Sequence, residues 1–146
     1  MTTDTVHVKP TVYEPDVQSG YFLEASQVAA ASSRIGCRVF DSRSPERFTG
    51  QVEPIDPIAG HIPGARNLPY AENLVDGKFK NVEELRGRFR SALSGLQPKN
   101  CVVYCGSGVT ACHNLLAAAH AGLDGMKLYP GSWSEWITDP SRGVAR

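Results

Sequence analysis

The residue best placed for covalent chemistry is Cys105. It follows the apolar run Cys101-Val102-Val103-Tyr104 and precedes Gly106-Ser107-Gly108, after which Val109 opens a helical pattern. Two glycines let the backbone curl so that successive N–H groups point inward, making an anion-binding nest. A helix beginning near Val109 adds unpaired N–H groups and the positive end of its dipole at the same point. A thiol at the centre of that cradle is expected to be largely thiolate, the form that attacks. The same cradle suits a second sulfur, an oxyanion or a phosphate. A structural cysteine before an ordinary turn is the competing reading, and the paired glycines at a strand-to-helix junction weigh against it.

The other candidates carry less chemistry. Cys37, Cys101, Cys105 and Cys112 are separated by 64, 4 and 7 positions (37 to 101, 101 to 105, 105 to 112), so no C-x-x-C pair exists. A zinc site or dithiol is therefore not expected, and all four are read as thiols, with Cys101 and Cys112 in the core. If CVVYC is a strand, Cys101 and Cys105 lie about 13 Å apart, too far for a disulfide. His113 and His120 share a helix face without a third ligand, which describes a solvated polar face rather than a metal site. His61 in a Gly-Pro turn reads as structural, and Asp41 with Arg43 reads equally as an ion pair or a catalytic pair. No cofactor or metal is called for.

These residues must be positioned by an α/β framework. The chain has 146 residues, 41% of them apolar and 21% charged, as expected for one globular domain. Fifteen basic residues balance fifteen acidic ones, which argues against a nucleic-acid partner. No apolar run is long enough for a membrane span, and the first twenty residues lack a secretory pattern, so a cytoplasmic location is expected. Residues 1–20 read as a tail or interdomain linker and 21–146 as the domain. Ser26 is placed to cap a helix over EASQVAAA, and CRVFDSR contains a buried strand. Residues 44–70 form a long turn-rich loop with a brief strand near ARNLPY. Val82, Leu85, Phe89 and Leu93 mark an amphipathic helix over 81–93, and CVVYC a second buried strand. A helix over 109–122 is expected to bury Cys112, Leu115, Leu116 and Ala119 and to stop at Gly122. A strand at 126–129 and a helical turn over SWSEWI complete the pattern. Alternating strands and helices imply a mostly parallel central sheet with helices on both faces.

Four ordered segments carry a resemblance. CGSGVTAC, FDSRSPERFTG (40–50), GHIPGARNLPY (60–70) and LYPGSWSEW (128–136) are similar, in order and spacing, to segments of the rhodanese and 3-mercaptopyruvate sulfurtransferase family. The resemblance covers roughly residues 21–140 and is to the C-terminal, catalytic half of the tandem-domain enzymes. It implies a three-layer rhodanese-like fold and a persulfide carried on Cys105. It further implies that Gly106, Ser107, Gly108, Val109 and Thr110 surround that persulfide, and that Arg47 contacts an anionic substrate. A second arginine that follows Glu-Pro in relatives is replaced here by Ile55 and Asp56 after Glu53-Pro54. Relatives that act on thiosulfate carry cations after the cysteine, whereas Gly106 and Ser107 are neutral, as in the mercaptopyruvate type. The implied partners are a small-molecule sulfur donor, 3-mercaptopyruvate or thiosulfate, and an acceptor such as cyanide, a small thiol or thioredoxin.

Three rival readings bear on the same loop. A phosphatase built on a strand–cysteine loop–helix site needs a longer loop ending in arginine, but Ala111 stands six after Cys105 and no arginine or lysine occurs between Cys105 and Lys127. A binding module without turnover, or a persulfide carrier fed by another protein, remains open. In two-domain relatives the second half walls the cysteine cleft. Trp133 and Trp136 with Tyr129 read as packing that closes the domain edge, but an isolated copy is expected either to pair with itself near Cys105 or to work slowly as a monomer, with apolar surface around Trp133 or Trp136 exposed.

Overall fold

The computed structural model describes residues 10–16 and 20–146, so most of the tail or linker expected over 1–20 lies outside the described residues. At the centre, β1 (Arg38–Asp41) and β5 (Cys101–Tyr104) pair in parallel, with Val39 opposite Val102 and Phe40 opposite Val103. β2 (Arg66–Asn67) flanks β1, and β6 (Lys127–Leu128) flanks β5, giving the parallel order β2-β1-β5-β6. Phe22 adds a bridge to Leu128 at the far edge.

Both faces of this sheet are covered, as a parallel sheet requires. Phe40, Cys101 and Val103 point into one core with Leu85, Phe89 and Leu93 of α3 (Val82–Leu93) and the alanines of α4 (Val109–His120). Val39, Val102 and Tyr104 point into the other. They meet Val28 of α1 (Ala25–Ser33) and Trp133 and Trp136 of α5 (Ser132–Trp136). The two-residue period of the strands thus distributes the core between the two helical layers.

α3 forms as its sequence dictates. Asn81 caps it by accepting from the Glu84 amide at 3.0 Å, while Glu84 returns the favour at 3.2 Å, and the apolar spacing matches the buried face. Three other expectations are corrected. Ser26 is not the cap of α1; Glu24 is, with Gln27 Oε1 accepting from its amide at 2.9 Å. α4 is rotated relative to the expected face, burying Ala111, Asn114, Ala117 and Ala118 while Cys112 is exposed and Leu116 is 61% exposed. Small alanines let α4 lie close to the sheet. The buried Asn114 is satisfied by donating to Ser42 Oγ and Leu68 O at 2.8 Å each and accepting from Asn73 at 2.7 Å. Finally, Trp133 and Trp136 are buried with Tyr129, which agrees with their reading as packing and corrects the expectation that an isolated copy exposes them. Their indole N–H groups donate to Ile58 O at 2.8 Å and Gly143 O at 2.9 Å.

One element departs from strict alternation. β3 (Leu74–Val75) and β4 (Lys78–Phe79) form an antiparallel hairpin around Asp76 and Gly77, both with positive φ, the geometry that an Asp-Gly pair favours.

Candidate active site

Cys105 stands at the carboxyl end of β5, where parallel sheets present ligands. It is buried, and its peptide group is held from both sides. Its amide donates to Ser132 Oγ at 3.1 Å, and its carbonyl accepts from the Trp133 amide at 3.0 Å. Ser132 itself is fully buried with φ +56, and its hydroxyl donates to Tyr129 O at 2.9 Å. The next carbonyl, Gly106 O, accepts from the Ser134 amide at 2.9 Å, and the Ser134 hydroxyl lies 2.8 Å from both Gly106 O and Asp56 Oδ1, able to donate to one of them at a time.

Those bonds leave the other side of the loop open. Among the described residues, the amides of Gly106, Ser107 and Gly108 have no hydrogen-bond acceptor, and α4 begins directly after them. Gly108 adopts φ +85, and a Cβ there would stand 2.8 Å from Pro130 O, so glycine is required on two counts. The loop borders a cleft of about 190 Å³ lined by Cys105, Gly106, Ser107, Val109, Thr110, Arg47, Ile55, Asp56 and Ser134. The structure therefore brings every site residue expected from sequence to one cleft, except Gly108, which shapes the loop from behind.

Arg47 reaches the cleft from α2 (Pro45–Phe48). Its Nη1 and Nη2 both lie 3.6 Å from where a Cβ on Gly106 would stand, so the end of the guanidinium faces the loop. Its other edge is fixed. Nε and Nη2 donate to Glu53, the shortest contact being 2.6 Å, and Nη2 also meets Asp56 at 3.3 Å. Glu53 joins this arginine to a second one, accepting from Arg43 Nη1 at 3.0 Å. Arg43 is buried, grips both oxygens of Asp41, donates to Gly60 O at 2.7 Å and stacks over Trp133. Asp41 and Arg43 are thus a structural pair that ties the long loop to the sheet. Burial alone would raise the Glu53 carboxyl, but the hydrogen bonds from Arg47 and from the Asp56 and Ile55 amides outweigh it and hold it below its ordinary value.

The remaining candidates separate from the cleft. Burial pushes the Cys101 thiol up to about 11, which keeps it neutral near pH 7. His61 stacks on Phe48 at 3.8 Å and meets Phe48 O through Nδ1 at 2.7 Å, a structural role. His113 is not on a solvated face; it packs edge-on against Tyr70 and Phe79, and burial with the nearby Arg88 lowers its pKa. No cluster of three or more metal-ligating side chains occurs among the described residues. Nor is any helix among them long and apolar enough to cross a membrane.

Sequence reasoning missed Ser132, Ser134 and the bridging role of Glu53. Their only sequence signals are their places in LYPGSWSEW and after the turn-rich start of the loop.

Comparison with known proteins adds a consistent set of likenesses. Residues 24–139 match the family described as rhodanese-like domains. A Pseudomonas aeruginosa protein, provisionally named a 3-mercaptopyruvate sulfurtransferase, is 44% identical over 99% of this chain and 51% of its own length. A Mycobacterium tuberculosis protein, provisionally named a thiosulfate sulfurtransferase, is also 44% identical, over 93% of this chain and 47% of its own. The structure of 3-mercaptopyruvate sulfurtransferase from Leishmania major aligns with a TM-score of 0.67 and 36% identity, covering 81% of this chain and 33% of that one. The chain thus spans about half the length of the curated relatives it matches.

Proposed function

The chain belongs to the family of rhodanese-like domains, and from that premise we propose that it is a sulfurtransferase using Cys105 as a persulfide carrier. The observation that carries the reading is the buried Cys105 beside unpaired loop amides, with Arg47 Nη1 facing the same loop. In the first half-reaction the Cys105 thiolate attacks the sulfur of 3-mercaptopyruvate. A sulfur–sulfur bond forms and the carbon–sulfur bond breaks; its electron pair leaves as pyruvate enolate, which takes a proton from solvent. The donor's S–H proton stays on the outer sulfur of the persulfide. The unpaired amides of Gly106 and Ser107 are placed to stabilise the negative charge of the Cys105 thiolate, and Arg47 to receive the donor's carboxylate. In the second half-reaction an acceptor thiolate or cyanide takes the outer sulfur with its proton, Cys105 leaves as thiolate, and the proton stays on the acceptor's new persulfide or passes from thiocyanic acid to solvent. Two half-reactions through a covalent intermediate imply ping-pong kinetics.

The donor assigned is 3-mercaptopyruvate, with thiosulfate second, because no cation occupies positions 106 or 107. The acceptor is a thiol, either small or presented by a protein such as thioredoxin. Residues 21–146 are taken as the catalytic domain, which encloses the matched span 24–139. Four free cysteines favour a reducing compartment such as the cytoplasm. The buried tryptophans withdraw one reason for self-association, while exposed Ile55 and Val109 at the cleft rim supply another.

The test is a steady-state comparison of the two donors with one thiol acceptor, together with mass spectrometry of the donor-treated chain. One added sulfur should appear, absent in Cys105→Ser and retained in Cys37→Ser, Cys101→Ser and Cys112→Ser. An adduct that survives Cys105→Ser overturns the assignment. An adduct without turnover identifies the chain as a carrier.

A further inference from the structure

A guanidinium offers carboxylates two forks, a side fork of Nε with Nη2 and an end fork of Nη1 with Nη2. In Arg47 the side fork belongs to Glu53, whose oxygens lie 3.2 Å from Nε and 2.6 Å from Nη2. The end fork faces the Cys105 loop, both limbs lying 3.6 Å from where a Cβ on Gly106 would stand, but its limbs differ: Nη1 has no hydrogen-bond acceptor among the described residues, while Nη2 is met by Asp56 Oδ2 at 3.3 Å. A donor carboxylate that uses both limbs of the end fork must therefore take the limb that Asp56 holds.

Asp56 is built to yield that limb without leaving. Its 3.3 Å contact is the longest ionic contact Arg47 makes. The other carboxylate oxygen, Oδ1, accepts from Ser134 Oγ at 2.8 Å, and its own amide donates to Glu53 Oε1 at 3.2 Å. The Ser134 amide in turn donates to Gly106 O at 2.9 Å, so the Asp56 carboxylate is anchored to the residue that follows the nucleophile. Its side chain is only 7% exposed, which leaves little water to screen it. The ionic cluster as a whole sets two guanidiniums, Arg43 and Arg47, against three carboxylates, Asp41, Glu53 and Asp56. It has net negative charge, although it contains the arginine that receives the donor.

We infer that Asp56 is a specificity-determining residue, a fixed negative charge that competes for the end fork of Arg47 and selects donors by charge. The inference rests on the sulfurtransferase reading and names the class of donor that site prefers. A monoanionic carboxylate displaces Asp56 from Nη2 and then sits beside it, meeting one unit of repulsion. A dianion such as thiosulfate meets two. Because Coulomb energy is proportional to ligand charge, the logarithm of the discrimination doubles from the first to the second. Ile55, 74% exposed beside Asp56 on the same rim, supplies no compensating cation.

The experiment pairs donor kinetics with a readout that needs no sulfur transfer. Asp56→Asn removes the charge and keeps an oxygen to accept from Ser134. It should lower KM about threefold for 3-mercaptopyruvate and about tenfold for thiosulfate, the second being roughly the square of the first. The independent arm compares alkylation of Cys105 by iodoacetate, an anion, with iodoacetamide, its neutral counterpart, by mass spectrometry of the Cys105 peptide. Asp56→Asn should raise the iodoacetate-to-iodoacetamide rate ratio about threefold. Asp56→Ser, a smaller replacement, should do the same, and Asp56→Glu should restore the native ratio. Asp124→Asn, at an exposed position after α4, should leave the ratio unchanged. An alkylation ratio unaltered in both Asp56→Asn and Asp56→Ser overturns the inference. If the native chain transfers sulfur from neither donor, the functional reading fails, and the alkylation arm still decides the role of Asp56.

Discussion

Glu53 is the hinge of the ionic cluster, and Glu53→Gln isolates its charge from its shape. Its side chain is 3% exposed and bonds two guanidiniums, one of which, Arg43, is itself 1% exposed. A glutamine keeps one oxygen for Arg47 Nη2 and the Ile55 and Asp56 amides, but its NH₂ then faces Arg43 Nη1, donor against donor. Breaking a buried ion pair costs about 3–5 kcal/mol, and the bidentate Asp41 that Arg43 retains places this case near about 3 kcal/mol. In a chain of this size each kcal/mol lowers Tm by about 2–4 °C, so a fall of roughly 6–12 °C is expected at pH 7. The pH dependence has a definite sign. The folded-state pKa of Glu53 is depressed below its ordinary 4.5, so its contribution is present above that pH and lost as pH falls through the folded value. Thermal unfolding followed by circular dichroism at pH 7, and then at successively lower pH below 4.5, should show the native and variant curves far apart, then converging. A neutral-pH difference under about 2 °C, less than 1 kcal/mol by the same conversion, refutes the argument, as does a gap that persists in acid.

Other substitutions probe the loop and the core. Gly108→Ala forces a side chain onto φ +85 and against Pro130 O; unfolding should show a loss of about 2–3 kcal/mol, with persulfide formation falling in parallel. Ser107→Lys places a cation at an exposed position of the loop and should shift the kcat/KM ratio toward thiosulfate about fivefold, the effect of roughly 1 kcal/mol. Position 106 is unsuitable for this purpose, because its side chain would meet Arg47. Above about pH 9 the native chain should lose stability as pH rises toward about 11, because the folded state holds the Cys101 proton that the unfolded state releases. Denaturant titrations of Cys101→Val should show a flatter alkaline limb, by up to about 3 kcal/mol.

What the sequence discloses about this fold follows from the range of the forces involved. α3 is legible because its apolar spacing and its Asn81–Glu84 cap are local, and they agree with the buried face. The Cys105 loop is legible because Gly106 and Gly108 announce an unusual backbone, and Gly108 does adopt positive φ. α4 misleads because Asn114 is polar yet buried, satisfied by Ser42 and Leu68, 72 and 46 positions away. Two-residue strands carry no period, so the β3–β4 hairpin is visible only through Asp76-Gly77. Glu53 and Ser132 acquire their roles through tertiary contact with Arg43, Arg47 and Cys105, and no spacing rule encodes that.

The peptide group of Cys105 has one further consequence, for the order of events in folding and opening. Its amide and carbonyl are both bonded to residues of α5, 27 and 28 positions later, and α5 is only five residues long. A helix so short has no stability of its own and persists through the burial of Trp133 and Trp136. The nucleophile loop therefore completes its native hydrogen bonding only when this late segment docks. Partial opening of α5 would release the loop while the central strands remain paired. Native-state hydrogen exchange should report this directly, with the Cys105 amide exchanging together with those of α5 rather than with Val102 and Val103. Reactivity would then be lost in a sub-global opening, below the temperature at which the sheet itself unfolds.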